Sequence, residues 1–169
     1  MGVVQPRIYT SRDGNKACNE EREIVAKPDK KKVLSVIRKC SDAFLVTVDR
    51  GQPKVRMVAP VVASDMSMWV ITSFASRKVA QVKRNPRVCL HFQETGGAHA
   101  YASVMGKARI EKNVKEKKRA WNAASYDMSQ WWREGPESPK YTFLRILIKE
   151  IEWCDKWAGK PNLYKPARA

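Results

Sequence analysis

The sequence lacks most of the features that mark a membrane protein, a secreted protein or a metalloprotein. Its 169 residues contain no run of about 18 apolar residues, the length that a membrane-spanning helix needs. The N-terminus has no long apolar core of a signal peptide, so we expect a cytoplasmic protein. The four cysteines are scattered without a C-x-x-C pair, and there are only two histidines. This pattern predicts reduced thiols, no disulfide framework and no metal site.

Motifs for catalysis and nucleotide binding are also missing. The chain has no G-x-G-x-x-G, no Walker loop, no internal repeat and no Ser-His-Asp pattern. His91 and His99 have no evident partner, and His91 lies on an alternating strand, where a structural role is expected. If the protein is an enzyme, a bound cofactor must therefore carry the chemistry.

The strongest compositional feature is the formal net charge of +16. Such a charge favours acidic ligands in general, whether nucleotide cofactors, nucleic acid or anionic lipid. The aromatic residues are not interleaved with basic residues as a base-stacking platform requires, which argues against nucleic acid. A non-catalytic module that binds an anionic ligand or nucleic acid nevertheless remains an alternative to an enzyme.

Several short alternating segments joined by tight turns predict a mainly β fold, an antiparallel barrel with α additions. We expect one domain over 29–155, preceded by an extension over 1–28 and followed by a basic tail over 156–169. Helices are predicted over 29–40, 76–85 and 113–133. Strands are predicted over 43–48, 54–59, 61–63, 68–72, 87–92, 100–110, 141–148 and 151–155.

The stretch from Trp69 to Pro86 contains the clearest sign of a binding site. A strand ends in Ile71-Thr72-Ser73, which offers backbone groups and hydroxyls, and a helix with Arg77 and Lys78 in its first turn follows. Cations are unfavourable at that positive end of the helix dipole, unless an anion binds beside them. Arg56, on an earlier strand, adds a guanidinium. Together these groups suit a phosphate monoester.

These stretches resemble the FMN-binding split-barrel superfamily related to pyridoxamine 5'-phosphate oxidase, and within it the general stress protein 26 group. The matching segments are K-V-L-S-V-I-R-K-C-S-D-A-F-L-V-T-V-D (32–49), V-R-M-V-A-P (55–60), M-W-V-I-T-S-F-A-S-R-K-V-A-Q-V-K-R-N-P-R-V-C-L-H-F (68–92), Y-A-S-V-M-G-K-A-R-I (101–110) and L-R-I-L-I-K-E-I-E-W-C-D (144–155). The resemblance implies a six-stranded antiparallel split barrel and a homodimer with FMN at its interface. Some relatives bind a deazaflavin or haem instead, and these remain alternatives.

The resemblance also implies roles for individual residues. Arg56 and Lys78 would hold the FMN phosphate, assisted by Arg77 and by the hydroxyls of Thr72 and Ser73. The other implied cofactor contacts are Met57 and Val58 beside the isoalloxazine, Tyr101 and Ser103 from the other subunit, and Trp153. A flavin-dependent oxidoreductase follows as the expected activity, with an unknown small-molecule substrate.

Two segments depart from the family's oxidases. These oxidases continue the arginine strand as R-x-x-L-L-K, whereas this chain reads R-M-V-A-P-V (56–61) and lacks the lysine. The R-L-H-D-R-type segment that grips pyridoxal phosphate is absent from the C-terminal part. The resemblance therefore implies FMN binding but not oxidation of pyridoxamine phosphate.

Overall fold

The computed structural model of the chain describes residues 29–40 and 42–166. The predicted extension over 1–28 lies outside the described residues. The helical segments are α1 (Lys30–Lys39), α2 (Arg77–Arg84), α3 (Val114–Asn122) and a short 3-10 turn (Met128–Gln130). The strands are β1 (Asp42–Asp49), β2 (Gln52–Val58), β3 (Pro60–Val62), β4 (Met68–Ser73), β5 (Arg87–Gln93), β6 (Tyr101–Ile110), β7 (Tyr141–Cys154) and β8 (Asn162–Tyr164).

All the strands belong to one antiparallel sheet with the order β2-β1-β5-β6-β7-β4-β3, and β8 pairs with the free part of β7. The two end strands, β2 and β3, are separated in the chain by Ala59 alone. Because a single residue connects them, the sheet must curl until its two ends meet. The result is an antiparallel barrel, as predicted. The barrel is split where the two ends of the sheet meet, between β2 on one side and the β4–β3 pair on the other.

The inner face of the curled sheet holds the main hydrophobic core. Strand residues alternate between the two faces, and the inward set is almost fully buried: Leu45, Leu90, Val104, Leu144 and Val70. Helix α1 adds Val33 and Ile37 to this core, and α2 adds Val79 and Val82. Helices α1 and α2 thus each pack one apolar stripe against the barrel.

A second, smaller core lies on the opposite face of β3, β4 and β7. It contains Trp69, Ile71 and Phe143, and Ala120 of α3 packs against them. Two guanidinium groups, those of Arg119 and Arg145, lie over the Trp69 ring. Alternation along β4 therefore sends Trp69 and Ile71 to one core and Val70 to the other.

An irregularity interrupts the long pairing of β6 with β7. Met105 pairs with Glu150 and Gly106 pairs with Ile148, so Lys149 is an extra residue on β7. A Cβ atom on Gly106 would lie 2.1 Å from the carbonyl oxygen of Leu147. Only glycine fits at this position of the strand pair.

Three element predictions differ from the structure. The helix predicted over 113–133 ends at Asn122 and is followed by the separate 3-10 turn. The two strands predicted over 141–148 and 151–155 form one strand, β7. The sheet has eight strands where the resemblance implied six, and β8 lies within the predicted basic tail. None of the described helices is long and apolar enough to cross a lipid bilayer.

Candidate functional site

Arg56 occupies the inner face of end strand β2, beside the split. It pairs in register with the inward residue Leu45, and one of its nitrogens donates hydrogen bonds to the Leu45 carbonyl oxygen at 3.0 Å and to Thr47 Oγ1 at 2.7 Å. The other nitrogen donates to Gln81 Oε1 of α2 at 2.8 Å. Three acceptors therefore hold the guanidinium in one orientation, which is the preorganisation that a binding group needs.

Lys78 approaches the same region from the other side of the split. Its Nζ donates a hydrogen bond to Thr72 Oγ1 at the end of β4, at 2.8 Å, and Thr72 Oγ1 in turn donates to Ser76 Oγ at 3.3 Å. Ser76 is the N-cap residue of α2, but its side chain makes no capping hydrogen bond. The first N–H groups of α2 are thus left without a side-chain cap next to Lys78.

Arg56, Arg77 and Lys78 form what we call the cation cluster. Burial lowers the pKa of Arg56, and the nearby charge of Arg77 lowers it further. The pKa of Lys78 is also lowered, first by burial and then by the charge of Arg56. Among the described residues, no carboxylate forms an ion pair with any member of the cluster. The cluster is therefore a partly desolvated, repelling set of cations that an anion would neutralise.

The acidic residue closest to this arrangement is engaged elsewhere. Asp49 accepts a hydrogen bond from Gln81 Nε2 at 3.3 Å and forms an ion pair with Arg84 at 2.8 Å. Gln81 thus connects the two systems, with its oxygen facing Arg56 and its amide nitrogen facing Asp49. Within the described part of the chain, Asp49 therefore does not compensate the charge of the cation cluster.

The lowered pKa of Lys78 leads to a prediction about pH. Because the folded pKa lies below the ordinary value of 10.5, the unfolded chain binds more protons between these two pKa values. The contribution of Lys78 to stability should therefore increase as the pH rises through this window. We expect the urea midpoint of the wild type to rise relative to that of Lys78→Arg as the pH approaches 10.5 from below, in buffer without phosphate.

A matched control lies on the same helix. Lys83 is exposed and lies over the Phe74 ring, so Lys83→Arg should follow the wild type across the whole pH range. Parallel midpoint curves for the wild type and Lys78→Arg would contradict the interpretation of Lys78 as a desolvated, repelled cation.

The other predicted residues on β2 and β4 lie around this cluster with different exposure. Met57 is 67% exposed on the outer side of β2, and Val58 is half-buried against the main core. Ser73 is exposed, and its Oγ accepts a hydrogen bond from the backbone of Ala75. Ile71 belongs to the second core, on the face opposite Thr72, so only its backbone is near the cluster.

Tyr101 and Ser103 lie on the outer face of β6 and not beside the cation cluster of the same chain. The Tyr101 hydroxyl donates to Glu152 Oε1 at 3.2 Å, and Ser103 Oγ lies 2.9 Å from His91 Nδ1. Strands β1 and β5 separate β6 from β2. One chain therefore does not bring these two residues to Arg56.

Trp153 lies on the inner face of the sheet. It pairs in register with the inward residue Ala102, is 8% exposed and belongs to the main hydrophobic core. Tyr101 and Ser103 point to the other face of the sheet. Within one chain the Trp153 indole therefore lies on the opposite face from these two side chains, and its predicted contact with the cofactor stays a prediction.

Two residues that hold the cluster in place, Thr47 and Gln81, were not predicted. Both are buried, and Thr47 Oγ1 donates to Gln81 Oε1 at 2.7 Å. The available signal was Gln81 itself, a polar residue adjacent to Val82 on the buried side of α2. A polar group at such a position must find hydrogen-bond partners inside the protein.

Comparison with known proteins gives consistent results. The family model for pyridoxamine 5'-phosphate oxidase matches residues 29–154. General stress protein 26 of Bacillus subtilis (strain 168) is 27% identical over 124 residues, which is 72% of this chain and 85% of that protein.

Solved structures share the fold at lower identity. The crystal structure of the General Stress Protein 26 from Bacillus anthracis str. Sterne has a TM-score of 0.66 and 23% identity, and the match covers 81% of this chain and 98% of the other. A haem-binding protein from Mycobacterium smegmatis has a TM-score of 0.68 and 13% identity, with 83% and 60% covered. Since the family model spans three quarters of the sequence, the chain belongs to the pyridoxamine 5'-phosphate oxidase family.

Proposed function

We propose that the protein binds FMN and acts as a flavin-dependent oxidoreductase. The observation that carries the proposal is the cation cluster, in which three cations and the Thr72 hydroxyl gather at the split and form no ion pair with a carboxylate of the described residues. A phosphate monoester supplies the missing negative charge and accepts hydrogen bonds from the guanidinium, the ammonium and the first N–H groups of α2. Family membership supports a phosphorylated flavin as that ligand.

The residues of this chain would bind and orient the cofactor. Arg56, kept in place by Thr47 and Gln81, and Lys78, kept in place by Thr72, would fix the phosphate, with Arg77 adding charge. Met57 and Val58 would border the ring. When bound, FMN supplies hydride or electron transfer, and no set of catalytic side chains is required.

We also propose a homodimer, because parts of the expected site are on the wrong face of a single chain. Tyr101 and Ser103 lie on the outer face of the sheet, and a second copy packed on this face would bring them to the cofactor of its partner. The same face carries exposed apolar side chains on β2, those of Val55 and Met57. Burial of such side chains favours association.

Oxidation of pyridoxamine phosphate is not part of the proposal. The position where the family's oxidases carry the lysine of R-x-x-L-L-K is occupied by Val61, which is 1% exposed within the second core. An apolar buried side chain offers no cation to a second phosphate. The substrate is therefore expected to differ from that of the oxidases.

Titration of the purified protein with FMN, riboflavin and haem tests the proposal. Riboflavin lacks only the phosphate, and the charge-assisted hydrogen bonds to that group are expected to make FMN bind at least about 100-fold more tightly. FMN should also raise the melting temperature by mass action, and sedimentation should give a dimer. Equal affinities for FMN and riboflavin would contradict the phosphate site. Tight binding of haem without binding of FMN would show that the cofactor is haem and not a flavin.

A further inference from the structure

A cavity separate from the cation cluster opens where β2 and β3 meet. It lies between the C-terminal end of α1 and the segment that follows α3, and its volume is about 670 Å³. Small-molecule sites typically measure roughly 300–1,000 Å³. The cavity is therefore large enough for a small organic molecule.

The body of the cavity is apolar. Its walls include Ile37, Ala43, Val58, Val62 and Phe92, all of which also contact or belong to the main core. A ligand in this space would exchange water for alkyl and aromatic contacts, which favours an apolar ring or chain.

The polar groups of the wall differ in their hydrogen bonding. The Tyr126 hydroxyl donates to the Ala59 carbonyl oxygen at 3.2 Å, and the Cys40 thiol lies 3.3 Å from the Val36 carbonyl oxygen. Burial, with the charge of Glu94, raises the pKa of Cys40 to about 11, so its thiol is neutral near pH 7. These groups add no charge to the cavity.

Of the described residues that line the cavity, only Arg38 is charged, and it is exposed at the rim. Among the described residues, no carboxylate forms an ion pair with its guanidinium. The cavity thus presents an apolar interior and a single positive charge at its edge. An anionic group on the ligand would complete this arrangement.

We propose that this cavity binds a small organic acid, with its apolar ring or chain among Ile37, Val62 and Phe92 and its carboxylate paired with Arg38. Met57 and Val58 line the cavity and are also the expected neighbours of the flavin ring. The acid would therefore lie beside the flavin as its reaction partner, and this part of the inference rests on the proposed function. Binding of the acid itself does not depend on the flavin.

Calorimetric titration with 2-naphthoate and its neutral analogue 2-naphthamide tests the proposal. The two probes share the apolar body and differ in charge. We expect the wild type to bind the acid about fivefold more tightly than the amide, as a partly exposed ion pair allows. Arg38→Gln should abolish this difference, whereas Lys39→Gln, which removes the neighbouring exposed cation outside the cavity, should preserve it.

A filling variant tests the location. Val62→Trp should lower the affinity for both probes at least tenfold. If Val62→Trp does not fold, Arg38→Gln still tests the proposal. Equal affinities of the wild type for acid and amide, or an unchanged difference in Arg38→Gln, would overturn the proposal, as would no binding of 2-naphthoate at millimolar concentration. FMN titration of Arg38→Gln separates the two proposals, because the FMN affinity should remain that of the wild type.

Discussion

Replacing Arg56 with methionine is expected to weaken FMN binding about 100-fold. Methionine keeps an unbranched apolar stem but removes the planar fork of donors, which a lysine would replace only partly. The loss corresponds to roughly 2.7 kcal/mol, within the range for removing one partner of a desolvated charge pair. Quenching of flavin fluorescence on titration of the variant gives the dissociation constant directly.

A matched control for this experiment is Arg84→Met. Arg84 lies at the end of α2, the helix that carries Arg77 and Lys78. Its guanidinium forms an ion pair with Asp49 and makes no hydrogen bond that involves Arg56 in the described structure. We expect its FMN affinity to change less than about twofold, since exposed charges contribute little at a distance. If both variants lost affinity equally, general attraction by the net charge would explain binding better than the cation cluster.

Replacing Gly106 with alanine is expected to destabilise the fold by more than about 3 kcal/mol. The added methyl group would overlap the backbone of Leu147, with 2.1 Å to its carbonyl oxygen and 3.0 Å to its carbonyl carbon. A backbone atom cannot move aside as the end of a flexible side chain can. The β6–β7 pairing must therefore shift or separate, and urea unfolding should show a much lower midpoint or no cooperative transition.

Gly96→Ala provides the comparison. Gly96 is in a loop, has φ of +99° and has no atom within 4 Å of the added Cβ, so the only expected penalty is backbone strain of about 1–2 kcal/mol. A loss for Gly106→Ala no larger than this would show that the strand pair adjusts to the methyl group.

Much of the fold could be predicted from the sequence because its local signals agree. A β-branched and aromatic run correctly predicts β1, an apolar run β4, and alternation β5. The segment from Ser76 to Asn85 contains a capping residue, an apolar stripe and a stop at Pro86, so α2 was predicted to within one residue at each end. These elements are short and strongly patterned. Local and tertiary preferences coincide in them.

The wrong predictions arose where tertiary packing overrode the local pattern. The helix predicted over 113–133 ends at Asn122, and Trp121, Tyr126 and Trp132 pack against the second core from the helix end and the segment after it. The sequence analysis placed separate strands over 141–148 and 151–155, yet β7 continues through Lys149 because the extra residue is accommodated next to Gly106. A single sequence does not reveal such pairings between distant segments.

For the candidate site, residue types were more predictable than their arrangement. Lys78 stands out because cations are unfavourable in the first turn of a helix, and the structure brings its charge near that of Arg56. The side-chain face of Trp153, opposite to that of Tyr101 and Ser103, required the strand pairing, because neighbouring positions on a strand alternate between the two faces. Gln81 was missed because its role depends on Arg56, which is 25 residues away.

The central position of β7 has a consequence for synthesis on the ribosome. Strand β7 pairs with β4 on one side and β6 on the other, so it joins the two parts of the sheet. It begins roughly 70 residues after β4 ends. At about 5–20 residues per second, the β3–β4 hairpin waits about 3–14 s for its partner strand. During that interval the nascent chain exposes apolar strand edges, which makes it a candidate client for chaperones that bind near the ribosomal exit.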